Sequence, residues 1–302
     1  MKEVHPPSRS RQHNFLQLLP TGPAEAGGTN PMPDVILSDI VLYLVSGVVL
    51  GFLIGLTGIG GGVLTVPFLL LVIGLQPIAA VGTAGLYGVL TKIWAAVRHY
   101  RQGTVNIDVG MRFFLAAVPG ILAGSLAVKW SRVSLSPAGV EMLQGIVSYM
   151  VMASICFALV ALLFDYERLD TRFLSSRRGY IVKFPSLFLV GAVMGMTSIG
   201  GGILIIPSLL LFYRETSRYV GTSIFVALLL MTVMSALYAL IGRGQGVTDV
   251  DFPAAVLMSA GSLAGVYYGA ALCKRMHPRR LQKVVIGVIV LAVAMMVADR
   301  FW

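Results

Sequence analysis

The sequence predicts an all-α integral membrane protein made of two inverted repeats, with about 8 to 10 membrane segments. Three observations predict it. First, of 302 residues 57% are hydrophobic and only 12% charged, with a mean hydropathy of +0.84. That leaves too little polar surface to cover a soluble fold, and several apolar runs reach the ~20 residues that a helix needs to cross ~30 Å of hydrocarbon. The ten-residue alternation of a membrane barrel is not seen, and helices satisfy their own backbone in lipid. Second, one Gly-rich stretch occurs twice. Third, the cations lie mostly in short loops between apolar runs, on one side of the membrane.

The duplicated stretch is Gly51-Phe-Leu-Ile-Gly55-Leu-Thr57-Gly58-Ile59-Gly60-Gly61-Gly62, then Val63 to Val66 and Pro67. It returns as Gly191-Ala-Val-Met-Gly195-Met-Thr197-Ser198-Ile199-Gly200-Gly201-Gly202, then Ile203 to Ile206 and Pro207. The constant spacing reads as two copies of one unit.

Residues 1–35 are rich in Pro, Gly, Ser and Arg, have no apolar h-region with a cleavage site, and read as a flexible tail. Repeat 1 is expected over 36–164. Its first helix runs from Ile36 to Leu56 and ends at the Gly cluster. The apolar segment Val63 to Ile73 that follows would span only ~17 Å at ~1.5 Å per residue, so it is a half-helix. Three full helices are expected next, over Pro77–Tyr100, Ile107–Trp130 and Pro137–Phe164. A cationic linker, 165–183, carries Arg168, Arg172, Arg177, Arg178 and Lys183. Repeat 2, over 184–302, repeats the plan with Phe184–Thr197, the half-helix Ile203–Phe212, and full helices Ser217–Ile241, Phe252–Cys273 and Leu281–Val297. Further landmarks pair Val81-Gly82-Thr83-Ala84 with Val220-Gly221-Thr222-Ser223, Gly103 and Asp108 with Gly246 and Asp251, and Gly120 and Gly124 with Gly261 and Gly265.

Placing the linker in the cytoplasm also puts Arg98, Arg101, Arg214, Arg218 and the Lys274 to Lys283 cluster inside. Lys129, Arg132, Arg243, Arg300, the N-terminal tail and the C-terminus are then outside. This is a positive-inside bias, and five elements per repeat make the copies antiparallel.

At Gly60, Gly61 and Gly62, and at Gly200, Gly201 and Gly202, the chain is expected to unwind. The next residues, from Val63 and Ile203, begin helices whose first N–H groups lack internal partners. Orphan N–H groups and the positive end of a helix dipole favour an anion, and glycine leaves its approach open. Pro67 and Pro207 are expected near the first turn, where a missing N–H is tolerated. In inverted repeats the two half-helices would point their N-termini at one anion near the midplane. The competing reading is that these glycines only permit close helix packing.

Thr83, Thr222 and Ser223 have hydroxyls suited to an anion's oxygens, although such hydroxyls also bond their own or a neighbouring helix. Thr57, Thr197 and Ser198 flank the bends and carry the same two readings. Lys92, whose counterpart is Met231, either faces the anion or extends toward the inner surface near Arg98.

The net charge of +10 is assigned to topology and not to nucleic acid. Cys156 and Cys273 have no paired spacing, and His5, His13, His99 and His277 are scattered, so neither a metal site nor a cofactor site is expected. No carboxylate lies deep in a helix: Asp39 and Glu141 sit near helix ends, and Asp108, Asp249 and Asp251 border the connections. With no paired carboxylates and no nucleophile-base set, no catalytic residue and no enzyme activity are expected. Coupling, if present, would use Na⁺ on backbone carbonyls or H⁺ carried by the substrate.

The doubled motif Gly55-Leu-Thr-Gly-Ile-Gly-Gly-Gly-Val-Leu-Thr-Val-Pro67 and Gly195-Met-Thr-Ser-Ile-Gly-Gly-Gly-Ile-Leu-Ile-Ile-Pro207, with Val81-Gly82-Thr83 and Gly221-Thr222-Ser223, resembles the sulfite exporter TauE/SafE family, also called the toluene-sulfonate uptake permeases. The resemblance covers nearly the whole chain after residue 35. It implies a bacterial inner-membrane permease for sulfite, organosulfonates or related sulfur oxyanions, without fixing the direction. A secondary transporter is therefore the leading expectation. Its partners would be a small anionic substrate, membrane lipid and a coupling ion, and a homodimer is compatible. A passive anion channel and a membrane-embedded anion sensor are the alternatives.

Overall fold

A computed structural model describes residues 33–57, 62–163, 180–200, 204–209, 219–240, 249–273 and 278–301. All elements among them are helical. They are α1 (Pro33–Thr57), α2 (Gly62–Leu71), α3 (Pro77–Arg101), α4 (Ile107–Ser134), α5 (Pro137–Leu163), α6 (Tyr180–Thr197), α7 (204–209), α8 (Tyr219–Leu240), α9 (Phe252–Cys273) and α10 (Pro278–Phe301). The expected order of elements is the observed one, with ends shifted by a few residues. Among the described residues five helices are long and apolar enough to cross a membrane. They lie in α1, α3, α4, α5 and α8.

Local chemistry sets the helix ends. Gly74 takes φ +78° between α2 and α3, where the Leu75 N–H returns to the Leu69 carbonyl at 2.9 Å. Pro77 then opens α3, where its missing N–H costs nothing. Gly103, at φ +66°, turns the chain out of α3. Asn106 caps α4, its Oδ1 accepting from the Val109 N–H at 3.3 Å. Asp251 caps α9 in the same way, accepting from the Ala254 N–H at 2.9 Å. Pro67 is the sixth residue of α2, not a first-turn residue. It leaves the Val63 carbonyl without its helical donor.

By contacts the chain divides into residues Met1–Leu42 and Tyr43–Trp302. Of the first unit, residues 33–42 open α1, with Leu37 and Val41 exposed. In the second unit the two sequence halves are interwoven. The small residues of α4 pack on the backbone of α6: a Cβ on Gly120 would overlap the Phe188 carbonyl, and one on Gly124 the Ala192 carbonyl. Reciprocally, Gly265 and Gly269 of α9 pack on the Val48 and Phe52 carbonyls of α1. Both pairs run parallel, since rising numbers on one helix meet rising numbers on the other. α3 and α8 run antiparallel instead, with Gly82, Gly85 and Gly88 meeting Tyr238, Met234 and Met231.

These contacts correct two landmarks. Ala117 and Ser262 present their carbonyls to Gly191 and Gly51, so α4 and α9 correspond at an offset of 145 residues. Gly120 therefore matches Gly265, not Gly261, and Asn106 matches Asp251 where Asp108 was expected to. The reason is physical. Gly261, Gly265 and Gly269 recur every four residues, so a slip of one turn leaves small residues on the same face.

Trp94 and Trp130 are 70% and 76% exposed, and Leu115, Leu126, Tyr267 and Tyr268 are exposed as well. Such an apolar exterior fits a hydrocarbon surround.

Candidate anion site at the helix breaks

The second break is described as far as Gly200. α6 ends at Thr197, and Ser198 takes φ +58°, the left-handed region that a non-glycine residue seldom enters. The break is held by its own last turn. The Ser198 N–H donates to the Met194 carbonyl at 2.8 Å, and the Ile199 N–H to Thr197 Oγ1 at 3.2 Å. Thr197 Oγ1 in turn donates to the Val193 carbonyl at 2.7 Å. Beyond it, the Leu204 and Ile205 N–H groups both return to the Gly200 carbonyl at 3.3 Å.

This break meets the start of the first half-helix. A Cβ on Gly62, the first residue of α2, would overlap the Ser198 carbonyl and lie 3.3 Å from Ile199 Cα. The sequence places the two motifs 140 residues apart; the fold puts them in contact. Ser198 Oγ and Thr65 Oγ1 are both buried without a hydrogen-bond partner among the described residues.

Lys92 is the third buried donor. Its exposure is 8%, and Nζ lies 3.7 Å from the Cβ position of Gly88, one turn back along α3 and away from Arg98. Among the described residues no carboxylate pairs with it. The side chain is thus buried and turned away from Arg98. Gly85, whose Cβ position is 3.8 Å from Ser198 Oγ, shares this face of α3 with Gly88 and Lys92.

Thr83 and Thr222 have a second occupation. Thr83 Oγ1 accepts from the Asp251 N–H at 2.9 Å, and Thr222 Oγ1 from the Asn106 N–H at 2.9 Å. Each ties the N-terminal half of α3 or α8 to the cap of α9 or α4 in the other half of the sequence, and an anion could then use only the hydroxyl proton. Ser223 Oγ donates to the Val220 carbonyl at 2.8 Å. Thr83→Val or Thr222→Val orphans a backbone N–H at a helix start. Each is expected to cost about 1–3 kcal/mol, read as a lower melting temperature in detergent with the two losses similar. Gly60, Gly61, Gly201, Gly202 and Ile203 lie outside the described residues, while Gly62, Val63 and Gly200 are placed and buried.

One group escaped the sequence reading. Asp249, expected only to border a connection, is fully buried and ion-paired through its two oxygens with Lys129 and Arg132 of α4. Lys129 Nζ also donates to the Tyr238 carbonyl at 3.4 Å and lies 5.9 Å from the Tyr238 ring centroid. A signal existed: a lysine inside a span calls for an acid, and Asp249 and Asp251 are the acids of the connection before α9.

Beside this geometry stands a match over most of the chain: the family model for the sulfite exporter TauE/SafE covers residues 43–296. The chain belongs to the TauE/SafE family. It is similar to the probable membrane transporter protein YjnA of Bacillus subtilis (strain 168), 32% identical over 83% of this chain and 97% of the relative. A probable membrane transporter protein of Xylella fastidiosa (strain 9a5c) is 26% identical over 88% and 97%. YunE of Bacillus subtilis is 23% identical over 84% and 95%. No solved structure matches significantly. As a TauE/SafE member the protein is a multi-pass membrane transporter, and its motif residues fall inside the matched region.

Proposed function

We propose that the protein is a secondary transporter of the bacterial inner membrane for sulfite, organosulfonates or related small sulfur oxyanions, bound where the two helix breaks meet. The observation that carries this reading is the contact of Gly62 with Ser198, together with three buried donors on the elements that meet there: Thr65 on α2, Ser198 at the break, and Lys92 on the face of α3 that reaches Ser198 through Gly85. All three are donors without partners among the described residues, and buried donors left unsatisfied cost free energy until an acceptor arrives. A sulfite or sulfonate headgroup has three oxygens, enough to engage a hydroxyl, an ammonium and backbone N–H groups together. An ammonium with no carboxylate beside it prefers an anionic ligand over a zwitterion.

The repeats are read as inverted. Corresponding helices α3 and α8 run antiparallel, and each half lends its first helix to the other half's fourth element. Two packed bodies related in this way can rock about a central site and expose it to either side in turn. The linker and the Lys274 to Lys283 cluster lie inside by the positive-inside rule, and both termini outside. H⁺ or Na⁺ is the coupling ion.

Transport in proteoliposomes tests the reading. Uptake of sulfite or sulfoacetate is expected to saturate and to show counterflow, with zwitterionic taurine taken up less well, and Gly62→Leu, which forces a side chain onto the Ser198 carbonyl, to lower it at least about tenfold. Non-saturating single-channel currents would replace the transporter with a passive anion channel. Tight binding with no flux would leave a sensor.

A further inference from the structure

The buried cluster at the C-terminal end of α4 has unequal charge. Among the described residues Lys129 and Arg132 face a single carboxylate, Asp249, which leaves one positive charge of the group without an anionic partner there. The side chains of Lys129 and Asp249 are 2% and 0% exposed, while Arg132 keeps 18%, so the outside reaches the cluster through Arg132. A closed structural ion pair needs no second cation, and burying one without an anion is costly.

The parts are also mounted differently. The two cations stand one turn apart on a helix, whereas Asp249 belongs to the non-helical residues 249–251 that precede α9. Its backbone is steadied by neighbours, with Gly82 against the Asp249 carbonyl and the Asp251 N–H on Thr83. At the corresponding place in the other half stands Thr104, whose hydroxyl bonds the His99 carbonyl at 3.0 Å and the His99 ring at 2.9 Å. Only one end of the molecule therefore has a carboxylate at this position.

The cluster is continuous with the helix break. Tyr238, whose carbonyl accepts from Lys129, donates through Oη to the Gly195 carbonyl at 3.1 Å. Ser125, one turn before Lys129, donates to the same carbonyl at 3.2 Å. Gly195 is three residues before Ser198. A chain of polar contacts thus runs from the partly exposed Arg132 to the segment that carries the break.

We propose that Lys129 and Arg132 form a second oxyanion subsite, at one end of the path to the helix breaks, which Asp249 fills as a tethered carboxylate in this conformation and an incoming sulfite, sulfonate or carboxylate fills by exchange. This deepens the transport reading above and rests on it for the path, but the subsite has its own test. Exchange with a monoanion (hydrogensulfite, a sulfonate or a carboxylate) keeps the charge of the cluster constant, since one anion leaves as another enters. It also confines entry to species small enough to take the place of a carboxylate between two cations.

The test uses the full-length protein in detergent, with acetate and sulfate as probes. Asp249→Asn removes the tethered anion. Either probe is then expected to raise the melting temperature with an apparent affinity about tenfold or more tighter than for the parent. K129M,R132M,D249N buries no charge and is expected to respond to neither. Recovery of D249N as a monodisperse species only when acetate or sulfate is present would equally support the subsite. The proposal is overturned if D249N folds and is indifferent to both anions, if neither anion permits its recovery, or if the triple variant responds as D249N does. Sulfite flux by the parent is measured in parallel. A parent without flux beside an anion-responsive D249N removes the transport reading and keeps the subsite; the opposite pattern removes the subsite alone.

Discussion

Gly120→Val is expected to prevent the protein from accumulating in a folded, monodisperse form. A Cβ at this position falls on the Phe188 carbonyl, within contact distance of Ala192 N and Phe188 C at 2.8 Å. These are backbone atoms, which cannot rotate away as the tip of a side chain can. Valine adds two methyl groups beyond the Cβ, so α4 and α6 have to separate along their length. Overpacking of an ordinary core costs about 1–3 kcal/mol; here the obstacle is main chain on both sides, and a total stability of about 5–15 kcal/mol leaves little reserve. In lipid the separation is worse than in water, because close approach of helices is itself the main attraction. The reciprocal position, Gly265 against the Val48 carbonyl, is expected to behave alike. Gly287 is the control. It lies on α10 with nothing within 4 Å of its Cβ position. Gly287→Ala therefore gains helix propensity of up to about 1 kcal/mol and is expected to leave the elution profile unchanged. Size-exclusion chromatography of the three variants beside the parent decides the matter. A monodisperse G120V with the parent's melting temperature would mean that α4 and α6 do not pack as described.

The helices and their order were legible because each has a local signature. Apolar runs announce spans, and the Gly cluster after Thr197 announces the end of α6. What was not legible depends on which helix lies beside which. Asp249 sits two residues before a helix cap, in a segment whose local composition reads as an exposed connection. Its burial is created by Lys129 and Arg132, about 120 residues away in sequence, so no local window contains the cause. Thr83 and Thr222 illustrate the same point with the opposite outcome. Their equivalence was visible, but their hydrogen bonds to Asp251 and Asn106 needed the interweaving of the two halves. Lys92 was left between two readings because a lysine on a helix reaches either way, and its burial beside Gly88 and Met231 depends on the packing of α3 on α8.

Lys92→Met is expected to lower transport and raise stability together. The lysine is buried beside Gly88 and Met231 with no carboxylate among the described residues, so in the empty protein its charge is uncompensated. Methionine has similar length and no charge, and the surroundings already hold Met231 and Met234. The melting temperature without ligand should therefore rise. The bound anion, however, loses a charged hydrogen-bond donor. Such bonds contribute about 1.5–3 kcal/mol, or roughly ten- to a hundredfold in affinity, so sulfonate uptake at low substrate should fall by that factor. Lys92→Arg keeps the charge on a larger, planar head and should retain part of the flux. A purely structural lysine gives a different pattern, with stability and flux falling together, and a lysine reaching the inner surface near Arg98 gives almost none. The repeat supplies a sharper version. Met231 is the counterpart of Lys92 on α8, and both side chains border Gly88, Met231 through its sulfur and Lys92 through Nζ. In K92M,M231K the ammonium is returned to the same region from the opposite helix. Partial recovery of uptake relative to K92M would show that the charge near the breaks matters and not the helix that carries it. Uptake as low as in K92M, with the double variant folded, would tie the function of Lys92 to its place on α3.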